Sequence, residues 1–296
     1  MTEDPRWPRA SAWLASGSLP ADLAVVGVPA CRTSISPTGA DATPAAVRAA
    51  LSRYSTFAWS TGQDVGRLVA FDAGDIDDPD SPAGEERTSD RVAELAAQAR
   101  LVVALGGDNS VTYAVARGAW RGREESAGLI TFDAHHDLRD GVSNGSPVRR
   151  LVDAGLPGRR VVQIGIADFS NSAEYAARAR DLGVHVITRD ALHRRPLADA
   201  WGEAIDVAGS AGGPIHVDID VDVCDRSVVP ACPAAAPGGL SADDLRQAAR
   251  LAGRTRQVTS IDVTEIDATA DAPDQRTVRL AALLVLEAAA GLAARS

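Results

Sequence analysis

Short apolar segments alternate with longer amphipathic ones along this chain, and this alternation limits the folds that it can adopt. Eight segments rich in Val, Ile and Leu are predicted strands, at 23–28, 67–71, 101–105, 129–132, 161–166, 184–187, 215–221 and 258–263. Stretches with helical spacing lie between them, including 45–54, 88–100, 173–182, 243–251 and 277–292. Strands that alternate with helices form a parallel sheet covered on both faces. The sequence therefore predicts a three-layer α/β/α sandwich with a mostly parallel sheet of about eight strands.

The length of the chain and the absence of a long linker in its sequence favour a single domain over residues 1–296. A chain of 296 residues can bury one large core. The best loop candidate, 75–86, is rich in Asp, Pro, Ser and Gly but is too short to link two domains. Ser241, followed by Asp243 and Asp244, predicts the N-terminus of a helix.

The charge of the chain limits its partners. A formal net charge of -10 argues against nucleic acid or an anionic membrane, because both require basic patches. Residues 1–9 lack the order of a signal peptide, and the most apolar helical stretch, 281–293, is too short to span a bilayer. The three cysteines form no CxxC motif, which is typical of a reducing compartment. We expect a cytoplasmic protein that acts on a small molecule.

The segment from Asp133 to Asp137 carries a first cluster of polar residues, directly after the predicted strand 129–132. Side chains two apart share a face of a strand, so Asp133, His135 and Asp137 project together. Two carboxylates beside an imidazole repel each other and lose solvation at a buried strand end, unless a cation compensates them. This cluster predicts a metal site.

A second cluster lies at 216–222, where the even-numbered residues are polar and the odd-numbered ones are apolar. An antiparallel strand wetted on one side would produce the same pattern. Beside the first cluster, however, the carboxylates favour a hard or borderline divalent ion such as Mn²⁺. Four or five carboxylates suggest two ions.

A third cluster, Gly106-Gly107-Asp108-Asn109-Ser110, follows the predicted strand 101–105. A Gly-Gly turn before a helix is either a tight connection or an anion cradle, and this one lacks the spacing of a phosphate loop. From the residues alone, the sequence predicts a binuclear metal site in an α/β domain.

These motifs, in this order, resemble the ureohydrolase family of arginases, agmatinases and formimidoylglutamases. The resemblance rests on Gly106–Ser110, on the Asp133–Asp137 segment, on an Asp-x-Asp followed by Pro230 and Gly238-Gly239-Leu240, and on flanking residues from Gly27-Val28-Pro29 to Thr264-Glu265. It implies an arginase-like three-layer α/β fold and a homo-oligomer. It also implies a binuclear manganese site that hydrolyses a linear C–N bond in an amidine or guanidine.

The resemblance implies a set of metal ligands in this sequence: Asp133, His135, Asp137, Asp220 and Asp222. The distance to Pro230 assigns the family's Asp-x-Asp to Asp220 and Asp222. Asp218 is then an additional carboxylate that could orient a ligand.

Asn109 departs from the family pattern, which typically has a metal-binding histidine at that position. Asparagine is a weaker, neutral oxygen donor. We expect two Mn²⁺ ions per chain, with the ion at Asn109 bound less tightly.

The resemblance also implies two catalytic residues. Asp137 would be the proton shuttle that delivers a proton to the departing nitrogen, and Glu265 would contact the nitrogens of the substrate.

The segment 143–149 lies where family members position the substrate, and it suggests Asn144, Ser146 and Arg149 as binding residues. Guanidine-directed members commonly have a histidine at the position of Asn144. The segments 162–172 and 275–282 are similar to formimidoylglutamases. Their substrate carries two carboxylates, for which Arg149 and Arg276 are candidate partners, although each is also typical of a surface arginine.

Three functions therefore remain open. The first is hydrolysis of N-formimidoyl-L-glutamate to L-glutamate and formamide, a step of histidine degradation. The second is a guanidine hydrolase that releases urea from agmatine or a guanidino acid, in which Asp218 could face a cationic tail. The third is a non-catalytic relative with a weakened metal site, which the asparagine at 109 suggests.

Overall fold

An eight-stranded parallel sheet forms the centre of the computed structural model, which describes residue 4 and residues 6–295. The strands in chain order are β1 (Ala21–Val28), β2 (Phe57–Ala58), β3 (Gln63–Asp64), β4 (Ala70–Asp75), β5 (Ala99–Gly106), β6 (Gly128–Phe132), β7 (Val161–Ile166), β8 (His185–Thr188), β9 (Ile215–Asp220) and β10 (Val258–Thr264). β2 and β3 form a separate antiparallel pair. The other eight strands have the order β4-β1-β5-β10-β9-β6-β7-β8, and all neighbours are parallel.

Helices cover both faces of the sheet. Those in the described ranges are α1 (Ala10–Leu14), α2 (Thr43–Ala50), α3 (Pro82–Ala96), α4 (Val111–Trp120), α5 (Pro147–Asp153), α6 (Ala173–Asp181), α7 (Arg189–Leu192), α8 (Leu197–Ala208), α9 (Ala242–Arg254) and α10 (Arg276–Ala293). Helices α2, α8, α9 and α10 share one apolar cluster, whereas α3, α4, α5 and α6 contribute to the clusters on the opposite face. The predicted three-layer α/β/α fold is confirmed.

Successive side chains of each strand point to opposite faces of the sheet and so contribute to different parts of the core. In β1, Leu23 and Val25 pack on the side of α2 and α10, whereas Ala24 and Val26 pack on the side of α3 and α4. β9 alternates in the same way, but all six of its residues are buried and both of its neighbours are parallel. The polar residues of β9 therefore lie inside the protein, which excludes the alternative of an antiparallel strand wetted on one side.

Two predicted boundaries are wrong near the edge of the sheet. The loop predicted at 75–86 ends early, because α3 begins at Pro82, where the Ser81 side chain accepts a hydrogen bond from the Gly84 N–H. The strand predicted at 67–71 is displaced to β4, whose Asp72 is paired with Arg48. An edge strand tolerates such polar residues because one side of it has no neighbouring strand.

Other expectations about the chain ends and caps have mixed outcomes. The N-terminus predicted at Ser241 is confirmed, since Ser241 and Asp244 form a reciprocal capping box at α9. No helix among the described residues has both the length and the apolar character needed to cross a membrane. The expectation for residues 1–9 falls in part on residues 1–3 and 5, which, like residue 296, lie outside the described residues.

The sheet order places the predicted polar clusters side by side. Strands β5, β10, β9 and β6 are neighbours at the centre of the sheet and end at the same edge. Ligand sites in parallel sheets form beyond the carboxyl ends of the strands. The segments that follow these four strands carry Asn109, Glu265, Asp222 and the Asp133–Asp137 segment.

Candidate metal centre and active site

A cavity of about 270 Å³ opens beyond the carboxyl ends of the central strands. Its floor includes the side chains of His135, Asp137, Asp220, Asp222 and Glu265. These acidic residues are buried, with at most 7% of each exposed. The fold therefore concentrates carboxylates around one imidazole at the base of a pocket.

Asp133, His135 and Asp222 form the tightest group, because one potential ligand atom from each lies within 4.8 Å of the others. His135 Nδ1 lies 2.7 Å from Asp222 Oδ2. Asp133 Oδ1 accepts a hydrogen bond from the His135 backbone N–H at 2.6 Å, whereas Asp133 Oδ2 is buried without a partner in the described structure. An unpartnered buried carboxylate oxygen is costly and marks a position where a cation would be stabilising.

Burial and mutual repulsion disfavour the charged forms of these acids. Burial, reinforced by the Asp137 charge, raises the pKa of Asp133, and burial with the Asp222 charge raises the pKa of Asp220. Burial also raises the pKa of Asp137 to about 7, against the opposing effect of His135. A cation among these oxygens would relieve the same repulsion.

The ion pair between His135 and Asp222 favours the charged forms of both groups, against the effect of burial on their pKa values. Burial lowers the pKa of His135, but the Asp222 carboxylate outweighs burial and raises that pKa to about 9. Burial raises the pKa of Asp222, but His135 outweighs it and the net pKa is lowered. The donor set of several carboxylates and one imidazole fits a hard or borderline divalent cation such as Mn²⁺.

Asn109 lies inside this cluster and connects its parts. Its Nδ2 donates to Asp137 Oδ2 at 2.6 Å, and its Oδ1 accepts hydrogen bonds from the hydroxyls of Thr112 and Thr264. The amide nitrogen, which cannot ligate a cation, therefore faces Asp137. The predicted ligand role of Asn109 requires the amide to turn over about its χ2 torsion.

Glu265 lines the same cavity as Asp137. Its Oε1 accepts hydrogen bonds from the Asn109 backbone N–H and from Asn144 Nδ2, each at 2.8 Å. Burial raises the pKa of Glu265 to about 7, although the bond from Asn144 acts against this shift. The structure thus brings Asn144 and Glu265 together in the cavity.

The backbones at Asp137 and Glu265 are strained. Their φ angles are 53° and 63°, in the left-handed region that side chains other than Gly rarely adopt. Such strain costs on the order of 1–3 kcal/mol and is concentrated at functional sites. It persists here because the hydrogen bonds around each carboxylate hold the turn in place.

In the turn after β5, the backbone at Gly107 lies close to the backbone of the segment that follows β1. The Gly107 N–H donates to Val28 O, and a Cβ added at Gly107 would lie 1.8 Å from Ala30 O. The Gly107 carbonyl then accepts a hydrogen bond from the Glu265 N–H. The Gly-Gly turn is therefore a tight connection that fixes Asn109 relative to Glu265.

Two amide side chains that the sequence did not single out support the Asp133–Asp137 segment. Gln163 bonds to His136 through both the ring Nδ1 and the backbone carbonyl. Asn171 accepts from the His136 N–H and donates to Ala134 O. Both lie in the segment 162–172, which carried the family resemblance but gave no indication of this role.

Three predicted substrate residues lie in other surroundings. Ser146 is buried and bonds to Ser143, so it shapes the loop before α5. The Arg149 guanidinium binds Arg139 O and Gly141 O and pairs with Asp153. Arg276 is paired with Asp274 and does not line the cavity. Arg139, which the sequence did not single out, does line it.

Asp218 lies beneath the cavity rather than in it. It is fully buried on β9 beside its register partner Asp262, and neither of its carboxylate oxygens has a partner among the described residues. Burial, reinforced by Asp262, raises the pKa of Asp218. The suggested contact between Asp218 and a cationic substrate tail is absent from the described cavity lining.

Comparison with known proteins identifies relatives over most of the chain. A family model described as the arginase family matches residues 21–291. A formimidoylglutamase from Bacillus subtilis is 34% identical over 278 residues, which cover 91% of this chain and 86% of that protein. A guanidinopropionase from Pseudomonas aeruginosa is 32% identical over 180 residues, 58% of this chain and 55% of that protein.

Solved structures share the fold. The crystal structure of the Bacillus subtilis formimidoylglutamase has a TM-score of 0.93 at 32% identity and covers all of this chain and 95% of that chain. The crystal structure of a Trypanosoma cruzi formiminoglutamase with Mn²⁺ has a TM-score of 0.89 at 27% identity, over 98% of this chain and 100% of that chain.

Proposed function

Because this chain belongs to the arginase family, we propose that it is a manganese-dependent amidine hydrolase that converts N-formimidoyl-L-glutamate and water into L-glutamate and formamide. The observation that carries the proposal is the cavity floor, where buried carboxylates surround His135 and where Glu265 faces the same space. The formimidoylglutamases that match across most of the chain support this substrate.

Two Mn²⁺ ions would be held by Asp133, which groups with His135 and Asp222, and by the cavity residues His135, Asp137, Asp220 and Asp222. When bound, such ions supply Lewis-acid chemistry that lowers the pKa of water near the substrate and polarises the amidine. Asn109 would contribute to the more weakly held ion after a turn of its amide.

Asp137 would carry the proton. Asn109 Nδ2 holds Asp137 Oδ2 at 2.6 Å and so fixes the orientation of the carboxylate. In this role the Asp137 carboxylate accepts a proton from the attacking water and delivers it to the nitrogen that leaves as glutamate.

Glu265 would orient the amidine. Its Oε1 is engaged by Asn109 and Asn144, and the carboxylate lines the cavity. A carboxylate in this position accepts hydrogen bonds from the formimidoyl N–H groups. Asn144 holds Glu265 and is itself a lining residue, so it would position both the acid and the substrate.

The remaining substrate residues act by shaping the loop around the cavity. Ser146 bonds to Ser143, and Arg149 binds two carbonyls of the segment 139–141, so both would support the segment that carries Asn144. Arg276 is paired with Asp274 outside the cavity lining and would not contact the substrate directly.

We further propose a single arginase-like domain over residues 1–296 and a cytoplasmic homo-oligomer. One continuous sheet supports the domain assignment, and the three free cysteines support a reducing compartment. The exposed aromatic side chains of Phe57 and Trp59 favour association of subunits.

Direct assay of products tests the proposal. The manganese-loaded protein should release formamide and glutamate from N-formimidoyl-L-glutamate and no urea from agmatine or 3-guanidinopropionate. Asp133→Asn, which removes a buried carboxylate charge of the metal group, should abolish turnover and lower the manganese content. Urea release from a guanidino compound, with no turnover of the formimidoyl substrate, would overturn the proposal. Manganese binding without turnover of any substrate would favour a non-catalytic relative.

A further inference from the structure

Arg139 is the one Lys or Arg among the described residues that line the cavity. Every charged side chain on the floor other than the His135 ring is a carboxylate, and these groups suit the amidine end of a substrate. A substrate tail that carries carboxylates would be repelled by this floor unless a cation stood near it. The cavity therefore offers one place where an anionic tail can be neutralised.

The guanidinium of Arg139 has no hydrogen bond or ion pair with any described residue, in contrast to its neighbours. Arg178 binds Leu138 O at 2.7 Å and Asp140 at 2.8 Å. Arg149 Nε binds the carbonyl of Arg139 itself at 2.7 Å. Two arginines thus hold the backbone on both sides of Arg139, while its own five N–H donors remain available.

Arg139 also lies against the loop at Gly145. Its backbone N–H donates to Gly145 O, and a Cβ at residue 145 would lie 2.7 Å from Arg139 Cδ. Gly145 therefore leaves room for the side chain to lie across the loop next to Asn144, which bonds to Glu265. Arg139, Asn144 and Glu265 all line the same cavity.

We propose that Arg139 binds a carboxylate of the substrate and is the residue that selects an amidine with an anionic tail; this inference rests on the proposed function. A guanidinium and a carboxylate form two parallel, charge-assisted hydrogen bonds, which discriminate by geometry as well as by charge. The same cation repels a guanidine that carries an ammonium tail. Arg139 thus takes the role that Arg149 and Arg276 were expected to have.

Steady-state kinetics of the manganese-loaded Arg139→Gln variant test the inference. KM for N-formimidoyl-L-glutamate should rise on the order of 10- to 100-fold, because a charge-assisted bond is lost, while kcat changes much less. Arg139→Lys keeps the positive charge but cannot form the two parallel hydrogen bonds, and it should give an intermediate KM. Arg91 is a half-buried surface arginine paired with Glu94 on α3, so Arg91→Gln is the matched control and should behave as the wild type.

Two monoamides of the substrate identify the carboxylate that is bound. One monoamide lacks the carboxylate that Arg139 binds, so its KM with the wild type should be as high as that of the full substrate with Arg139→Gln. With this monoamide, Arg139→Gln should have the same KM as the wild type. Equal manganese content and an equal thermal midpoint in the variant show that its fold and metal site are intact. An unchanged KM in Arg139→Gln, with an active wild type, would refute the inference and leave the proposed function standing.

Binding of L-glutamate to the manganese-loaded protein separates the two proposals. Calorimetry should show weaker binding to Arg139→Gln than to the wild type, whether or not turnover occurs. A wild type that binds glutamate through Arg139 but turns over no formimidoyl substrate would refute the proposed function alone. Equal glutamate affinity in both proteins would overturn the role of Arg139.

Discussion

At the residue scale, Asn109 connects the two sides of the candidate site. Its side-chain nitrogen binds Asp137, and its backbone nitrogen binds Glu265. Two threonine hydroxyls hold its oxygen away from the cluster. The residue is therefore a positioning group for both carboxylates in this arrangement, and the proposed role of metal ligand would require its amide to rotate.

Substitution Asn109→His should strengthen the binding of one manganese ion without abolishing activity. An imidazole nitrogen is a stronger donor to a borderline divalent cation than an amide oxygen. Calorimetric titration with Mn²⁺ should show that the weaker of the two binding sites has a higher affinity in the metal-free variant than in the metal-free wild type. The manganese-loaded variant should still release formamide.

Two outcomes would contradict this expectation. A stoichiometry that stays at one ion per chain in both proteins would show that position 109 holds no ion. A fully metallated but inactive Asn109→His variant would show that the amide bond to Asp137 is itself required for the reaction.

At the scale of elements, the turn between β5 and α4 sets the distance between the site segments. Gly107 lies against the backbone of the segment after β1 and accepts the hydrogen bond from Glu265 N–H. The position of Asn109 therefore depends on a contact between three elements that are distant in sequence.

Substitution Gly107→Ala should destabilise the protein by about 1–3 kcal/mol, because the new methyl group would collide with a backbone carbonyl. The shift in the turn should also weaken manganese binding. Chemical unfolding and metal titration of the variant would measure both effects.

Gly202→Ala is the matched control. Gly202 lies within α8, and nothing lies within 4 Å of a Cβ added there. Removal of a glycine from an exposed helical position should stabilise the protein by about 0.5–1 kcal/mol and leave metal binding unchanged. Equal stability changes in the two variants would contradict the role of the Gly107 contact.

At the scale of the whole molecule, the fold gathers charge from four strand ends at one edge of the sheet. Burial raises the pKa values of Asp137 and Glu265 to about 7. Because these values lie above those of the unfolded chain, the protonated acids favour folding at low pH, and this contribution is lost as the pH rises through about 7. His135, whose pKa is raised to about 9, changes stability in the same direction at higher pH.

The thermal midpoint of the metal-free protein should therefore fall between pH 5.5 and pH 8 as these groups lose their protons. Mn²⁺ should raise the midpoint, and by more at pH 8, because the ligands must be deprotonated to bind the ion. Differential scanning calorimetry in EDTA and in excess Mn²⁺ would measure both trends.

Asp133→Asn is the control for this prediction, since the loss of one ligand should reduce the manganese-induced shift at every pH. A larger manganese-induced shift at pH 5.5 than at pH 8 would contradict the assignment of these groups as ligands.

The architecture and the location of the site followed from local patterns in the sequence. Apolar periodicity depends on neighbours within a few residues, so it predicted the strands and the covered parallel sheet. Polar residues at strand ends predicted a metal site at Asp133 to Asp137 and 216–222, and the family resemblance assigned the second part to Asp220 and Asp222. The fold brings His135, Asp137, Asp220 and Asp222 to one cavity and places Asp133 beside His135 and Asp222. The start of α3 was missed because Pro82 and Gly84 also suit a loop.

The tertiary structure alone decided how the polar side chains are used. The sequence suggested Arg149 and Arg276 and gave no indication of Arg139, yet of the three only Arg139 lines the cavity. Backbone carbonyls and an aspartate engage Arg149, and Asp274 engages Arg276. The direction of the Asn109 amide was decided in the same way, by hydroxyls from α4 and β10. Periodicity is a property of neighbouring residues, whereas the choice of a hydrogen-bond partner depends on groups that only folding brings together.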